Sequence, residues 1–505
     1  MTNAPITPIL IVGAGPTGLL LALRLAHHGV ALRIIDKNPA PGLASRAMVV
    51  QARTLEFYDQ LGLADKIISQ GIIVETFHLW RNRREVAQLQ FANFGKGLSP
   101  YPFALSFPQD DHEKFLVEEL KAVGVAVEWN TSLQALQQDD AKVTVTLLKK
   151  GKSQTAQFQY VCGCDGAHSV TREQLGVEFQ GGTYQHIFYV ADVKLAGQPD
   201  VQAKVCLGDD GFALQFPIRS SGMNRLIGIM PNAAEQIEHP TFADLQKMPE
   251  RLLNIEVKEV NWFSTYHSHH RVAARFNVGR VFLLGDAGHV HSPAGGQGLN
   301  TGLGDAVNLS WKLAHVLQNR ASPTLLETYE PERITFARKL VATTDQAFSL
   351  IVSGGWQARL MRNLIVPYII PLLLKFAVFR RLVFKTISQI MINYRQSPLS
   401  RGKAGTIQAG DRLPFVASLD NFKSLRTIDW QVHIYGAATP ECSALCSKLG
   451  LTLVTFAFTQ DAMQAGLEKD AFYLIRPDGH VGFVSLKQDV VALRDYIASH
   501  QLVFA

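Results

Sequence analysis

The chain has 505 residues, 47% of them apolar and 18% charged, enough for two or three globular domains with sizeable cores. A formal net charge of +6 is small for this length, and no dense Lys/Arg run with interleaved aromatics occurs, so the composition argues against a nucleic-acid partner. Five cysteines, few and odd in number, suit a reducing cytoplasm, and the N-terminus lacks the basic n-region of a secretion signal.

The first predicted element is a short buried strand, Pro8-Ile-Leu-Ile-Val12. The glycine turn Gly13-Ala-Gly-Pro16-Thr17-Gly18 follows, then a helix over residues 19–28, and a turn and second strand over 29–35 ending at Asp36, with Lys37 beside it as a further cofactor-binding candidate. Residues 71–105 are mixed and aromatic. Patterning of α/β type returns over 109–175, with a helix near 111–123 and strands near 125–129, 142–148 and 157–162. Residues 176–275 are strand-rich, with strands over 187–193, 211–218 and 226–230. A strand, a glycine-rich loop and a long helix fill 277–320, and helices continue to about residue 393. After a composition shift near Ser397-Pro398, strand and helix alternate again and close on a hairpin turning at Pro477-Asp-Gly479.

The strand, glycine turn, helix, strand and acid at the start form a dinucleotide-binding unit. Its glycines allow a tight turn and close approach to a pyrophosphate, which the free N–H groups and dipole of the helix N-terminus attract. Asp36 is placed to accept hydrogen bonds from an adenosine ribose. Cys162-Gly-Cys164 and Cys442 with Cys446 lack zinc-like spacing and read mainly as buried small residues. His267, His269 and His270 have no carboxylate or cysteine at ligand spacing and read as polar strand or loop histidines, with no metal expected.

Two further motifs join the fingerprint. One is Tyr160-Val-Cys-Gly-Cys-Asp165-Gly-Ala-His-Ser-Val170. The other is Gly279-Arg-Val-Phe-Leu-Leu-Gly285-Asp286-Ala-Gly-His289, continuing through Pro293 to Gly295-Gly296-Gln-Gly298-Leu299-Asn300. In this order and spacing, with Ser45-Arg46-Ala47, Gln51-Ala-Arg-Thr-Leu-Glu56 and Asp305-Ala-Val-Asn308-Leu-Ser-Trp-Lys312, the chain resembles the single-component FAD-dependent aromatic hydroxylases over residues 8 to about 400. The tail, with Gly410-Asp-Arg-Leu-Pro414 and Leu474-Ile-Arg-Pro-Asp-Gly479, is similar to the thioredoxin-like C-terminal domain of the larger members, without a Cys-x-x-Cys at a strand-to-helix junction.

The resemblance implies an α/β fold. A Rossmann-like FAD-binding domain comes from 1–70, 109–175 and 277–330, and an inserted β-rich substrate domain from 71–108 and 176–276. A helical segment over 331–400 and a thioredoxin-like domain over 401–505 follow. It implies FAD as cofactor and NAD(P)H as co-substrate, docking without a second glycine fingerprint. The reaction implied is hydroxylation of a phenolic or polycyclic aromatic compound with O2 through a flavin C4a-hydroperoxide. By the family pattern Asp286, next to Gly285, binds the ribityl chain, Gly295, Gly296 and Gly298 form the flavin loop, and Leu299 and Asn300 begin the helix behind it. Pro293 stiffens that loop beside the flavin ring. Arg46 reaches the pyrophosphate, Gln109 lies near the flavin, and Asp165 links FAD binding to NAD(P)H use. No side chain is implied as nucleophile or firm general base. Phe212, Gln215 and Pro217 are candidate substrate contacts. A flavin dehydrogenase or reductase acting on a lipophilic or quinone-like molecule, an antibiotic-modifying or Baeyer–Villiger oxygenase on the same fold, and a binding role without catalysis stay open as alternatives.

The run Leu364-Ile-Val-Pro-Tyr-Ile-Ile-Pro-Leu-Leu-Leu-Lys-Phe-Ala-Val-Phe379 is unusually apolar and meets Arg380, Arg381 and Lys385. It is shorter than the about 20 apolar residues of a membrane span and is broken by Pro367 and Pro371. Residues 364–385 therefore read as a helix pair buried in the protein or in a homodimer interface, as an amphipathic face in peripheral contact with a membrane, or as a true span. The expected location is the cytoplasm, with the inner membrane face as the place of any such contact.

Overall fold

A computed structural model of the chain describes residues 6–42, 47–81, 83–91, 94–197, 202–208, 211–231, 234, 237–292, 294–352 and 355–504. The architecture is α/β. Strand Thr7–Val12 lies inside an eight-stranded sheet, paired in parallel with Leu32–Ile35 on one side and Lys152–Gly163 on the other. Val281–Leu283 extends the parallel core beyond Lys152–Gly163, and Val127–Glu128 extends it beyond Leu32–Ile35. The apolar run at the start is consistent with this position, since a parallel strand is covered on both faces. Helices Pro16–His27 and Gly298–Leu317 pack together on the sheet, where Arg24 Nε reaches Ser310 Oγ at 3.2 Å.

A second eight-stranded sheet is almost wholly antiparallel. Its backbone is two 17-residue strands, Phe179–Leu195 and Val257–Ala273, paired along their length with three register shifts. Sequence reading reaches only residues 187–193 of the first of these, because glycines and polar side chains at 180–186 interrupt its alternation. The mixed stretch after residue 71 resolves into Ile72–Val74, Thr76–Arg81, Arg84–Gln90 and Ala104–Ser106. Strand Thr131–Gln138 was not anticipated. Its three glutamines carry little strand preference, and its pairing with Val143–Lys149 supplies the structure.

The last hundred residues build a four-stranded sheet. Gln431–Tyr435 pairs in parallel with Thr452–Phe456 and antiparallel with Phe472–Ile475, which forms the expected hairpin with Val481–Ser485. Its core is continuous with that of the first sheet, and Trp311 and Trp430 meet edge to face at 5.5 Å between ring centroids. Between the two units, helix Tyr329–Val352 is followed by a bent helical pair, Trp356–Leu373 and Ala377–Ile387, at 112° to each other. Pro367 sits inside a π-helical stretch, Met361–Ile369, so this proline does not end the helix.

Candidate functional site

Each glycine of the fingerprint meets a different demand. Gly13 has φ +103°, and a Cβ there would lie 2.3 Å from the Cys164 carbonyl oxygen, so the turn passes beneath the end of the neighbouring strand only without a side chain. A Cβ at Gly18 would lie 2.0 Å from the Gly13 oxygen. Gly15 is ordinary extended backbone with nothing within 4 Å of its Cβ position. That open space sits before the N-terminus of Pro16–His27, a helix start with no side-chain cap and no acid in its first turn. A phosphate fits there, met by free N–H groups and the positive end of the dipole.

A cleft of ≈ 250 Å³ opens at this point, lined among others by Gly13, Gly15, Asp36, Lys37, Glu113 and Asp165. Asp36 accepts from Ala14 N at 2.7 Å and from Asn38 N at 2.8 Å, which fixes its carboxylate at the rim. Glu113 accepts from Gly42 N at 2.8 Å and from Gln109 Nε2 at 2.9 Å, and burial pushes its carboxyl above the ordinary glutamate range. Asp165 turns toward the helix that follows it. It accepts from Ser169 Oγ at 2.5 Å, Thr171 N at 2.9 Å and Thr171 Oγ1 at 3.0 Å.

Thr17 joins this end of the site to the other. A Cβ at Gly285, whose φ is +56°, would lie 2.7 Å from Thr17 Oγ1, and one at Gly302 would lie 2.4 Å from it. The fingerprint helix, the turn carrying Asp286 and the long helix therefore close on one hydroxyl. Asp286 is exposed on the short turn Gly285–Ala287, just past strand Val281–Leu283. The turn is held from below, because Asp305 accepts from Gly285 N at 2.9 Å, bonds His289 Nε2 at 2.8 Å and accepts from Arg333 Nε at 2.6 Å. Burial opposes ionisation of Asp305, but Arg333 and His289 overcome it and hold the carboxyl below its usual value.

Asn300 organises the flavin loop. Its Oδ1 accepts from Gln51 N at 2.9 Å and Thr54 Oγ1 at 2.8 Å, while its Nδ2 donates to Val49 O and Gly296 O, both at 2.9 Å. All four polar valences of a fully buried amide are used. Gly295 and Gly296 have φ of +75° and +61°, which carry the loop into the helix Gly298–Leu317, again without a side-chain cap or a first-turn acid. Leu299 is half-buried at this helix start.

The structure thus gathers Gly13, Gly15, Pro16, Thr17, Gly18, Asp36, Lys37, Gln109 and Asp165 at one end. Gly285, Asp286, Gly296, Gly298, Leu299 and Asn300 form the other. Arg46 and Pro293 lie outside the described residues. The candidate substrate contacts divide. Strand Gly211–Pro217 alternates, so Phe212 shares a face with Leu214 and Phe216, which pack in the aromatic cluster that includes Met48 and Val49. Gln215 and Pro217 alternate to the opposite face, and Gln215 is buried with its amide on Asn224 Oδ1 at 3.0 Å. Sequence reasoning missed Glu113, one helical turn beyond Gln109, and missed Gln51 and Thr54 as partners of Asn300. Among the described residues no group of His, Cys, Asp or Glu is arranged to hold a metal. His267, His269 and His270 lie along strand Val257–Ala273. All five cysteines are buried thiols, and burial pushes Cys162 and Cys164 well above the thiol range that yields thiolate.

A parallel sheet with open space at Gly15, two uncapped helix N-termini and a carboxylate just past a parallel strand is the form of a dinucleotide-binding protein. The model for the FAD binding domain family matches residues 6–344, and the chain belongs to that family. It is 34% identical to 6-methylpretetramide 4-monooxygenase of Streptomyces rimosus over 78% of this chain and 71% of that one. It is 31% identical to a flavin-dependent monooxygenase of Mycobacteroides abscessus over 94% and 97% of the two chains. The solved structure of OxyS anhydrotetracycline hydroxylase from Streptomyces rimosus superposes with a TM-score of 0.77 at 25% identity, covering 98% of both chains. The chain is an FAD-dependent monooxygenase.

Proposed function

We propose that this monooxygenase hydroxylates a phenolic or polycyclic aromatic compound, using NAD(P)H as reductant and O2 as oxidant. The observation that carries this reading is the aromatic cluster beside the flavin loop. Phe77 lies edge-on to Phe91 and Phe216 at 5.7 Å and 6.3 Å, Phe91 meets Phe384 at 5.4 Å, and Val49 of the same cluster lies 3.4 Å from the Cβ position of Gly296. A flat ring entering beside these rings would be met by edges and faces that suit it. The names of two proteins similar to it, which act on 6-methylpretetramide and anhydrotetracycline, support the polycyclic end of the range.

Bound FAD supplies hydride acceptance and the activation of O2. The chain binds, orients and shields. Gly15 and the helix behind it would receive the pyrophosphate, for which Arg46 is also a candidate contact by the family pattern. Asp36, with Lys37 at the rim, takes the adenosine ribose. Asp286 would take the ribityl chain, and the uncapped start of helix Gly298–Leu317 would offer free N–H groups to the anionic edge of a bound flavin. Gln109 holds Glu113 at the cleft, and Asp165 fixes the turn through which reductant use is coupled. The aromatic cluster excludes water from the reacting face.

The same reading divides the chain into the FAD-binding, substrate, helical and thioredoxin-like parts given above. The two large sheets support the first division. The parallel pair Gln431–Tyr435 and Thr452–Phe456, joined by helix Pro440–Leu449 and followed by a hairpin and helix Val490–Ser499, supports the last.

The test is to supply NADPH or NADH, a panel of one- to four-ring phenols and labelled O2, and to weigh the products. A product carrying one labelled oxygen atom is expected. Cofactor oxidation with no labelled product from any member of the panel would remove phenols from the substrate range.

A further inference from the structure

The outer surface of the bent helical pair is not used by the flavin site or by the core. Among the described residues, eleven of the twenty exposed large apolar side chains fall within residues 356–391. They are ordered: Trp356, Leu360, Leu364, Tyr368, Leu372 and Phe376 recur every fourth residue, and all six are exposed. An α-helix rotates a four-residue row by about 40° per step, at about 3.6 residues per turn. The π-helical stretch Met361–Ile369 turns less per residue, which holds the row closer to one side. At the bend, Phe376 and Val378 are 64% and 82% exposed and form the apex. The inner side of the same element is occupied: Leu374 and Phe384 are buried in the aromatic cluster. The outward row is therefore a second apolar face.

Charge selects what covers it. From residue 346 to residue 410 the sequence has no Asp or Glu and nine Lys or Arg. Arg359, Lys375 and Arg381 are exposed beside the row. No single described helix is long and apolar enough to cross a membrane. A second copy of the chain, joined about a two-fold axis, would bring this acid-free basic face against itself. An anionic lipid surface offers what the face lacks, apolar depth for the row and negative headgroups for its basic border.

We infer that residues 356–391 dock this protein on anionic bilayers, with the Phe376–Val378 apex inserted and the helices lying in the interface. The inference does not depend on which compound is hydroxylated.

It is tested on the FAD-loaded protein by flotation with phosphatidylcholine vesicles and with vesicles containing phosphatidylglycerol. Binding to the second, weakened by salt, is expected, with a blue shift in emission that Trp356→Phe removes. The double variant Phe376→Glu and Val378→Glu should bind at least about tenfold more weakly. Val491→Glu, on an exposed apolar residue of the tail helix, should bind like the parent. Flavin absorbance confirms that each variant is folded. No binding at low salt, equal binding to both vesicles, or full binding by the double variant overturns the inference. So does a dimer in sedimentation that the double variant dissociates without any vesicle binding, which puts a second copy on the row.

Discussion

Gly15 and Gly18 are one residue type three positions apart, and alanine tells them apart. At Gly18 the added carbon meets backbone at 2.0 Å, so Gly18→Ala is expected to lower stability by about 1–3 kcal/mol in urea unfolding. At Gly15 the backbone is already suited to alanine and the Cβ position is empty, so Gly15→Ala should unfold at the parent's midpoint while FAD titration shows weaker binding. Loss of stability at Gly15 would mean that the space is a packing requirement and not a ligand's. Asn300→Ala strands four partners and should cost about 1–3 kcal/mol in the same measurement, with flavin retention falling alongside. The fingerprint was legible because its glycines keep a fixed spacing within one strand–turn–helix unit, although Gly13 itself answers to Cys164 at the end of the neighbouring strand. Glu113 was not. Its partner Gly42 is 71 residues away, and nothing near residue 113 marks the carboxylate as facing a cleft.

At the scale of elements, what the sequence conveys depends on whether a segment's own pattern or its neighbour decides its shape. Thr7–Val12 and Gly298–Leu317 declare themselves, one by an apolar run and the other by a glycine-rich start. Thr131–Gln138 is a strand because Val143–Lys149 lies beside it. The flavin loop was legible as a loop, while its anchoring by Gln51 and Thr54 appears only when helix Ala52–Asp59 is set against it. Packing between elements also sets the acid response. His112 on helix Gln109–Ala122 bonds the Tyr58 hydroxyl at 2.5 Å, and burial lowers its pKa to about 3, as it does for His28 and His433. These histidines are neutral when folded and titrate near about 6.5 when unfolded, so the unfolded chain gains protons first and stability falls as pH drops below about 6.5. Asp305 adds to the loss at lower pH, since its depressed carboxyl favours the fold only while ionised. Urea midpoints should decline from pH 7 toward about pH 5, and His112→Gln should make the decline shallower.

Over the whole molecule, the tail is fastened through charge. The hairpin turn at Arg476–Gly479 enters the body of the protein, where Arg476 donates to both Glu332 oxygens at 2.7 Å and 2.9 Å and to Asp478 at 2.6 Å. Glu332 also accepts from Lys312 at 2.8 Å, Asn308 at 2.6 Å and Ser397 at 2.6 Å. Arg53 reaches the Asp478 carbonyl at 2.7 Å from helix Ala52–Asp59, which ties the turn to the element that Asn300 holds. Removing one member leaves the others buried and unpaired, so Arg476→Met is expected to cost about 3–5 kcal/mol. Calorimetry should show the body and tail melting together in the parent and at a lower temperature in this variant. The sequence marks Arg476-Pro-Asp-Gly479 as a turn and Asn308 to Lys312 as a motif, but gives no sign that the two meet.

That meeting bears on how the chain is made. When a ribosome has released Lys312 and Glu332, the arginine that completes their cluster is still 144 residues away from Glu332. Through that interval Lys312 and Glu332 have each other but not the arginine that bonds both carboxylate oxygens. A chain cut before Arg476 is expected to lose the tail's tie to this cluster and to be cleaved by protease faster than the full chain.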